Sequence, residues 1–288
     1  MNNPESHLPS LRTVGLTAVA MLAFAANSIL CRLALAHASI DPASFTLIRI
    51  ASGVVTLWLI LALSGRARVV AGSWRAGLAL FAYAAAFSFA YITLSAGSGA
   101  LLLFGAVQAT MVTTGLVHGE RLAGLQWMGF IAALGGLAAL LAPGVSAPPI
   151  VGAALMLAAG VAWGAYSLFG RGATDPLAAT GGNFLRALPM AVVLLAVSGI
   201  FGLKAETSGI VYAILSGAVA SGLGYTIWYA ALPGLSPAQG ASVQLSVPVI
   251  TAITGTLMIG ETITIRLALC SIAILGGIAL VIGSKPKR

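Results

Sequence analysis

Trp163, Tyr166, Ser167 and Arg171 stand inside the stretch GVAWGAYSLFGRGA, residues 160–173, which is otherwise uniformly apolar. Trp163, Ser167 and Arg171 recur at i, i+4 and i+8, a spacing that lines one face of a helix. An indole supplies a flat stacking wall, a hydroxyl a neutral hydrogen bond and a guanidinium a fixed positive charge. This is chemistry for binding, not for bond making. Phe24, Ser28 and Arg32 repeat the stripe, Tyr83, Phe87 and Tyr91 share one helical face, and Tyr225, Trp228 and Tyr229 cluster. Asn27, Gln108, Asn183 and Gln244 are the amides available within apolar segments. Flat apolar walls with a few polar anchors suit a ring-bearing solute. The candidate solute-binding residues are therefore Trp163, Tyr83, Gln108, Gln244, Asn27, Ser28, Tyr166, Ser167, Tyr91 and Tyr225. The competing reading for each is structural: aromatics in interfacial belts or cores, and amides bridging helices at about 0.6 kcal/mol.

Catalysis finds little support in the same inventory. All six carboxylates, Glu5, Asp41, Glu120, Asp175, Glu206 and Glu261, fall in the tail, loops or segment ends, as do His7, His37 and His118. No positioned acid–base pair and no His/Glu/Asp ligand cluster results. The expectation is no enzyme, no metal and no cofactor, with a lipid-modifying enzyme using serine or backbone groups as the minor alternative. Cys31 and Cys270 lie far apart in apolar segments and read as packing residues. Ala36-His37-Ala38 has the small-x-small form of a signal-peptidase site, but Arg32 between it and the apolar run argues against cleavage.

The elements that must position these residues follow from composition. Of 288 residues 59% are hydrophobic and only 7% charged, with mean hydropathy +1.04; soluble domains carry about 25% charged residues. Spans of about 20 residues across a ~30 Å hydrocarbon layer account for such a chain. Ten are expected, near 13–36, 43–63, 74–94, 98–118, 123–142, 149–170, 177–199, 209–231, 237–259 and 263–283. The net charge of +8 reports topology and not nucleic acid. With the N-terminus inside, Arg12, Arg66, Arg68, Arg75, Arg121, Arg171, Lys285, Lys287 and Arg288 are cytoplasmic, against Lys204 and Arg266 outside. That distribution predicts both termini cytoplasmic, and the membrane expected for the chain is the bacterial inner (cytoplasmic) one. Arg49 is close enough to a span end to snorkel. Arg186, deeper and beside Pro189, pairs with a helix carbonyl, stabilises an interface or meets a substrate carboxylate.

An internal repeat organises the spans. AFAANSILCRLA (residues 23–34) aligns with AWGAYSLFGRGA (residues 162–173), and the register carries Asp41-Pro42 onto Asp175-Pro176, Arg49 onto Arg186, Tyr91 onto Tyr229, Gly119-Glu120 onto Gly260-Glu261 and Leu134-Gly135-Gly136 onto Leu275-Gly276-Gly277. Each unit holds five spans, an odd number, so the second enters the membrane from the opposite side. Inverted repeats are a transporter signature, with the site near the midplane between the halves and alternating access produced by rocking. The expected division is a tail at 1–12, a first repeat at 13–142, a second at 149–283 and a basic tail at 284–288.

These motifs, a small-polar first helix ending in Arg, Gly-Glu closing each fourth helix and Leu-Gly-Gly in each fifth, resemble the EamA-type ten-helix branch of the drug/metabolite transporter superfamily. Within it the chain is most similar to YddG-type aromatic amino acid exporters. The resemblance implies a secondary transporter exporting phenylalanine, tryptophan, tyrosine or similar small amphiphilic metabolites, with a small-molecule substrate and the lipid bilayer as partners. Arg49 and Arg186, as costly intramembrane charges, are expected to be structural or gating, as are Pro248, Glu120 and Glu261. Pro248 departs from the pattern of a proline in both copies, since its counterpart is Val107. A monomer is expected, a dimer being the alternative. Competing readings are a carrier of a purine, sugar nucleotide or quaternary amine, and a non-transporting receptor or scaffold.

Overall fold

The computed structural model describes residues 10–37, 39–66, 71–171, 173–235 and 237–283. Glu5 and His7 in the tail, Ala38 of the decoy cleavage site, Arg68, and the basic residues Lys285, Lys287 and Arg288 lie outside the described residues.

Five of the helices begin at a side-chain cap that the sequence supplies. The Asp41 carboxylate accepts hydrogen bonds from the backbone N–H groups of Ala43 and Ser44, and Asp175 accepts from Ala178, each with proline at the next position. Both repeats thus start their second helix with the same device, an acidic N-cap followed by a residue whose missing N–H costs nothing there. Ser10, Ser73 and Ser95 cap α1 (Leu11–Ala36), α3 (Trp74–Ala90) and α4 (Ala96–Val117) through their hydroxyls. The two Asp caps open α2 (Pro42–Leu63) and α7 (Pro176–Ser198). The remaining helices are α5 (Gly124–Leu141), α6 (Ile150–Phe169), α8 (Thr207–Gly234), α9 (Gln239–Ile259) and α10 (Ile265–Gly283).

Nine of these helices are at least 18 residues long and apolar enough to cross a membrane, and α3 has 17 residues. At ~1.5 Å per residue α3 rises about 26 Å, slightly less than the ~30 Å hydrocarbon layer. The expected span ran to residue 94, but the helix tightens into a turn at Tyr91–Thr93, with Ile92 and Thr93 N–H reaching back three residues. Two other spans are irregular. The middle of α8, Leu215–Leu223, is π-helical, a form that gathers at functional sites. Helix α9 breaks at Leu245, between Pro237–Gln244 and Ser246–Ile259. Pro248 lacks the N–H that would bond the carbonyl of Gln244, which accounts for the break.

Packing repeats the duplication seen in sequence. Helices α5 and α10 pack on each other, as do α2 and α7, and α4 and α9. The contact of α3 with α6 is matched by that of α8 with α1, α4 with α6 by α9 with α1, and α3 with α7 by α8 with α2. Exchanging helix n for n+5 therefore maps the interfaces onto themselves, the arrangement of two inverted five-helix repeats. Along α5 and α10 the approach is so close that a Cβ on Gly129 would strike the carbonyl of Gly277, and one on Gly277 that of Gly129. Of each Leu-Gly-Gly, the second glycine (Gly136, Gly277) lies in this interface, whereas Gly135 and Gly276 face open space. Two interfaces break the symmetry. Helix α4 packs on α10, but α9 makes no comparable contact with α5. Helix α1 packs on α4, but α6 makes no comparable contact with α9.

Candidate functional site

A cavity of about 560 Å³ occupies the gap between α6 and α9. It reaches the face on which α1 begins, the N-terminal face, at Gly170, Arg171 and Leu235. Arg12, Arg66, Arg75 and Arg121 mark that same face at helix ends and loops. Inward it continues into a smaller chamber of about 40 Å³ bounded by α1, α3 and α8. Phe24, Trp163, Tyr225 and Gln244 line both compartments and form the throat between them.

Trp163 is the centre of the throat. Its ring lies 4.7 Å from that of Tyr83, 5.1 Å from Tyr166 and 5.5 Å from Tyr225, centroid to centroid. Such separations are typical of interacting aromatic pairs. The side chain is nonetheless only half-buried, because its remaining surface faces the cavity. Helix α6 comes close to α4 here because a Cβ on Gly160 would collide with Ala106, one turn before the tryptophan.

The structure gathers nine of the ten expected binding residues around this space. Gln108, Ser167 and Tyr166 line the outer cavity, Asn27, Ser28 and Tyr83 the inner chamber, and Gln244 both. Ser167 spends its hydroxyl on the Trp163 carbonyl at 2.8 Å, and the Gln244 amide N–H bonds the Gly240 carbonyl at 3.3 Å, beside the break in α9. Tyr91 is the exception. It is fully buried away from the cavity, edge-on to Phe87 at 4.8 Å and donating to the Ala96 carbonyl. The i+8 spacing placed it on the Tyr83 face, but α3 ends at Ala90 and the turn carries Tyr91 beneath α4.

Of the five residues expected to be structural or gating, four are engaged in packing or bonding. Arg186 donates from Nη1 to the carbonyls of Ala71 and Gly182, both at 2.8 Å, tying α7 to the α2–α3 connection. Arg49 does not snorkel: it is 2% exposed and lies over the rings of Tyr83 and Phe87, 5.1 and 5.0 Å from their centroids. It stays in because α2 is covered at that level by α3, α7 and the π-helical part of α8. Pro248 is buried at the α9 break. Glu261 pairs with Arg32 at 2.8 Å and accepts from the Ala96 N–H at 2.7 Å, while Arg32 Nη1 donates to the carbonyls of Tyr91 and Ile92. This network ties the ends of α1, α3, α4 and α9 together on the face opposite the cavity mouth. Glu120, its repeat mate, is exposed and makes no ion pair with Arg171, the mate of Arg32.

Thr180 carried no signal in the sequence, being a single hydroxyl near a helix start. Its Oγ1 donates to the Pro176 carbonyl at 2.8 Å and pairs with the Tyr229 hydroxyl at 3.1 Å, fixing the cavity wall. Asn183, the amide left out of the binding set, also lines the cavity and accepts from the Ser73 N–H at 2.9 Å.

Residues 150–283 match the model of the EamA-like transporter family. "Uncharacterized protein PA1977" of Pseudomonas aeruginosa is 56% identical over 283 residues, 98% of each chain. The chain belongs to the EamA-like transporter family. A crystal structure superposes with TM-score 0.66 over 93% of this chain and 96% of its own, at 17% identity; at that identity the likeness concerns the fold alone.

Proposed function

We propose that this EamA-like protein is a secondary transporter of the cytoplasmic membrane that exports aromatic amino acids, or small amphiphilic metabolites like them, by alternating access. The observation carrying the reading is the half-buried Trp163, ringed by Tyr83, Tyr166 and Tyr225 at the throat of the cavity. A flat solute entering there would stack on surfaces already in place, with the neutral groups of Gln108, Gln244 and Asn183 lining the space around it. In this reading 13–142 and 149–283 are the halves that move. The arginines on the cavity-mouth face would put it in the cytoplasm, so the cavity is poised to load a solute for export. Arg32–Glu261 closes the outer face while Arg171 and Glu120 stand apart on the inner one; exchanging the two conditions between repeat mates is an alternating cycle. Arg186 is held by carbonyls outside the cavity and so offers its charge to no sugar-nucleotide phosphate, and Arg171 stands only at the cavity mouth.

Flux of labelled phenylalanine and tryptophan from liposomes holding the purified protein tests this, with and without a pH gradient and a membrane potential. No carboxylate lines the cavity among the described residues. Saturable, mutually competing efflux driven by the amino acid gradient alone is therefore expected. Efflux no faster than from protein-free liposomes, with the protein folded, would refute the substrate.

A further inference from the structure

We infer that the inner chamber is an anion-recognising end of the transport cavity, where an acidic group of the solute, a carboxylate, is received by the Tyr83 hydroxyl with the charge of Arg49 behind it. The inference deepens the proposed function and rests on it for the chamber's being part of the solute's path.

Three arginines lie in the apolar body of the protein, and two have backbone or carboxylate oxygens as partners. Arg32 has Glu261 and two carbonyls, and Arg186 has two carbonyls. Arg49 differs. Among the described residues no carboxylate lies within ion-pair distance of it, its Nη1 has no partner at all, and its one hydrogen bond runs from Nη2 to the Tyr83 hydroxyl at 3.0 Å. A guanidinium does not shed its proton in a protein. Its positive charge is thus held in a low-dielectric interior with only two ring faces and one hydroxyl for compensation, a costly arrangement that an incoming anion would relieve.

Tyr83 connects that charge to the chamber. Its oxygen accepts from Arg49 and, at 3.3 Å, from the Asn27 side-chain amide. Asn27 is itself fixed by the Ser216 hydroxyl, which donates to its Oδ1 at 2.6 Å from the π-helical part of α8. With both lone pairs of Tyr83 occupied by donors, its own O–H is left to donate, and the chamber is the space it borders. The Ser28 hydroxyl borders the same space. A hydroxyl polarised by a guanidinium on its far side is a strong donor to a carboxylate and a poor partner for an ammonium group. The aromatic throat then grips the ring while the acid leads.

The test is binding to the purified full-length protein in nanodiscs, by calorimetry, of four probes sharing one ring: phenylalanine, phenylalaninamide, 3-phenylpropionate and phenethylamine. The two carboxylates should bind at least ~10-fold more tightly than the amide and the amine, the size expected for a charge-assisted hydrogen bond. Arg49→Gln should collapse that ratio to below about threefold while leaving affinity for phenylalaninamide in place, a change that a purely structural role would not produce. Should Arg49→Gln fail to assemble, Tyr83→Phe keeps the ring, removes the hydroxyl and should collapse the ratio in the same way. Equal binding of phenylalanine and its amide, or an intact ratio in a folded variant, would overturn the anion end and leave the aromatic cavity standing. Arg49-dependent binding of succinate without binding of any ring probe would uphold the anion end and refute the aromatic reading. Binding of none of these probes would overturn both.

Discussion

Trp163 makes three ring contacts within 5.5 Å and still presents surface to the cavity. At about 0.5–1.5 kcal/mol per aromatic pair, a ring solute stacking there would draw on the order of a tenfold gain in affinity from this side chain alone. Trp163→Ala should therefore lower transport by about that factor with membrane assembly preserved, read as flux per folded protein. Wild-type flux in the folded variant would remove Trp163 from the site. Tyr91 supplies the contrast: it is buried beneath α4, and a Cβ on Gly99 would press into its ring. Tyr91→Ala should lower the thermal midpoint by opening a core cavity, a loss of roughly 3–5 kcal/mol for a large buried aromatic, measured as melting of the purified protein in detergent. Two tyrosines on one helical face thus belong to different jobs, and only the place where α3 ends tells them apart.

Between elements, glycine decides how closely helices pack. Without a hydrophobic drive between helices in lipid, van der Waals contact and small residues govern association. Gly277→Val should separate α5 from α10 and reduce the yield of folded monodisperse protein, whereas Gly276→Ala, which faces open space, should leave it unchanged. Size-exclusion profiles of the two variants check this, and equal profiles would remove the glycine contact as the basis of the scaffold. The break in α9 is a second element-level feature. It frees the carbonyl of Gln244 and leaves its side chain at the throat, whereas α4, with Val107 in place of proline, runs unbroken past Gln108. The irregularity belongs to one repeat, and the cavity lies on its side.

Across the whole molecule the two repeats share one set of interfaces but hold different states: α1 meets α4, α6 stands away from α9, and one Arg–Glu pair is made while its mate is not. Glu261→Gln removes the charge from the made pair. Partly exposed pairs contribute up to about 1 kcal/mol, so the equilibrium between outer-closed and outer-open forms should shift by roughly fivefold. A cysteine at Ser95, beside the Arg32–Glu261 pair, should label faster with a membrane-impermeant maleimide in the Glu261→Gln background, and one at Ser167, in the cavity, more slowly. Faster labelling at both positions would mean simple loosening and would refute reciprocal gating.

Periodicity, composition and the repeated Asp-Pro, Gly-Glu and Leu-Gly-Gly signals determined much of this protein from the sequence alone: an all-helical membrane chain, ten spans, two inverted units and most of the residues that meet at the cavity. Those features are local or recur by duplication, so each can be read from a short stretch and its copy. Tertiary structure alone decided three others. It determined that Arg49 is enclosed and lacks an ion-pair partner among the described residues, because burial depends on α3, α7 and α8, which come from distant parts of the chain. It determined that the second glycine of each Leu-Gly-Gly, and not the first, meets the partner helix. It also determined which face is open. Repeat mates with the same residues, Arg32 with Glu261 and Arg171 with Glu120, occupy opposite conditions in one molecule, so that choice is a property of how the halves lean together and not of the residues themselves.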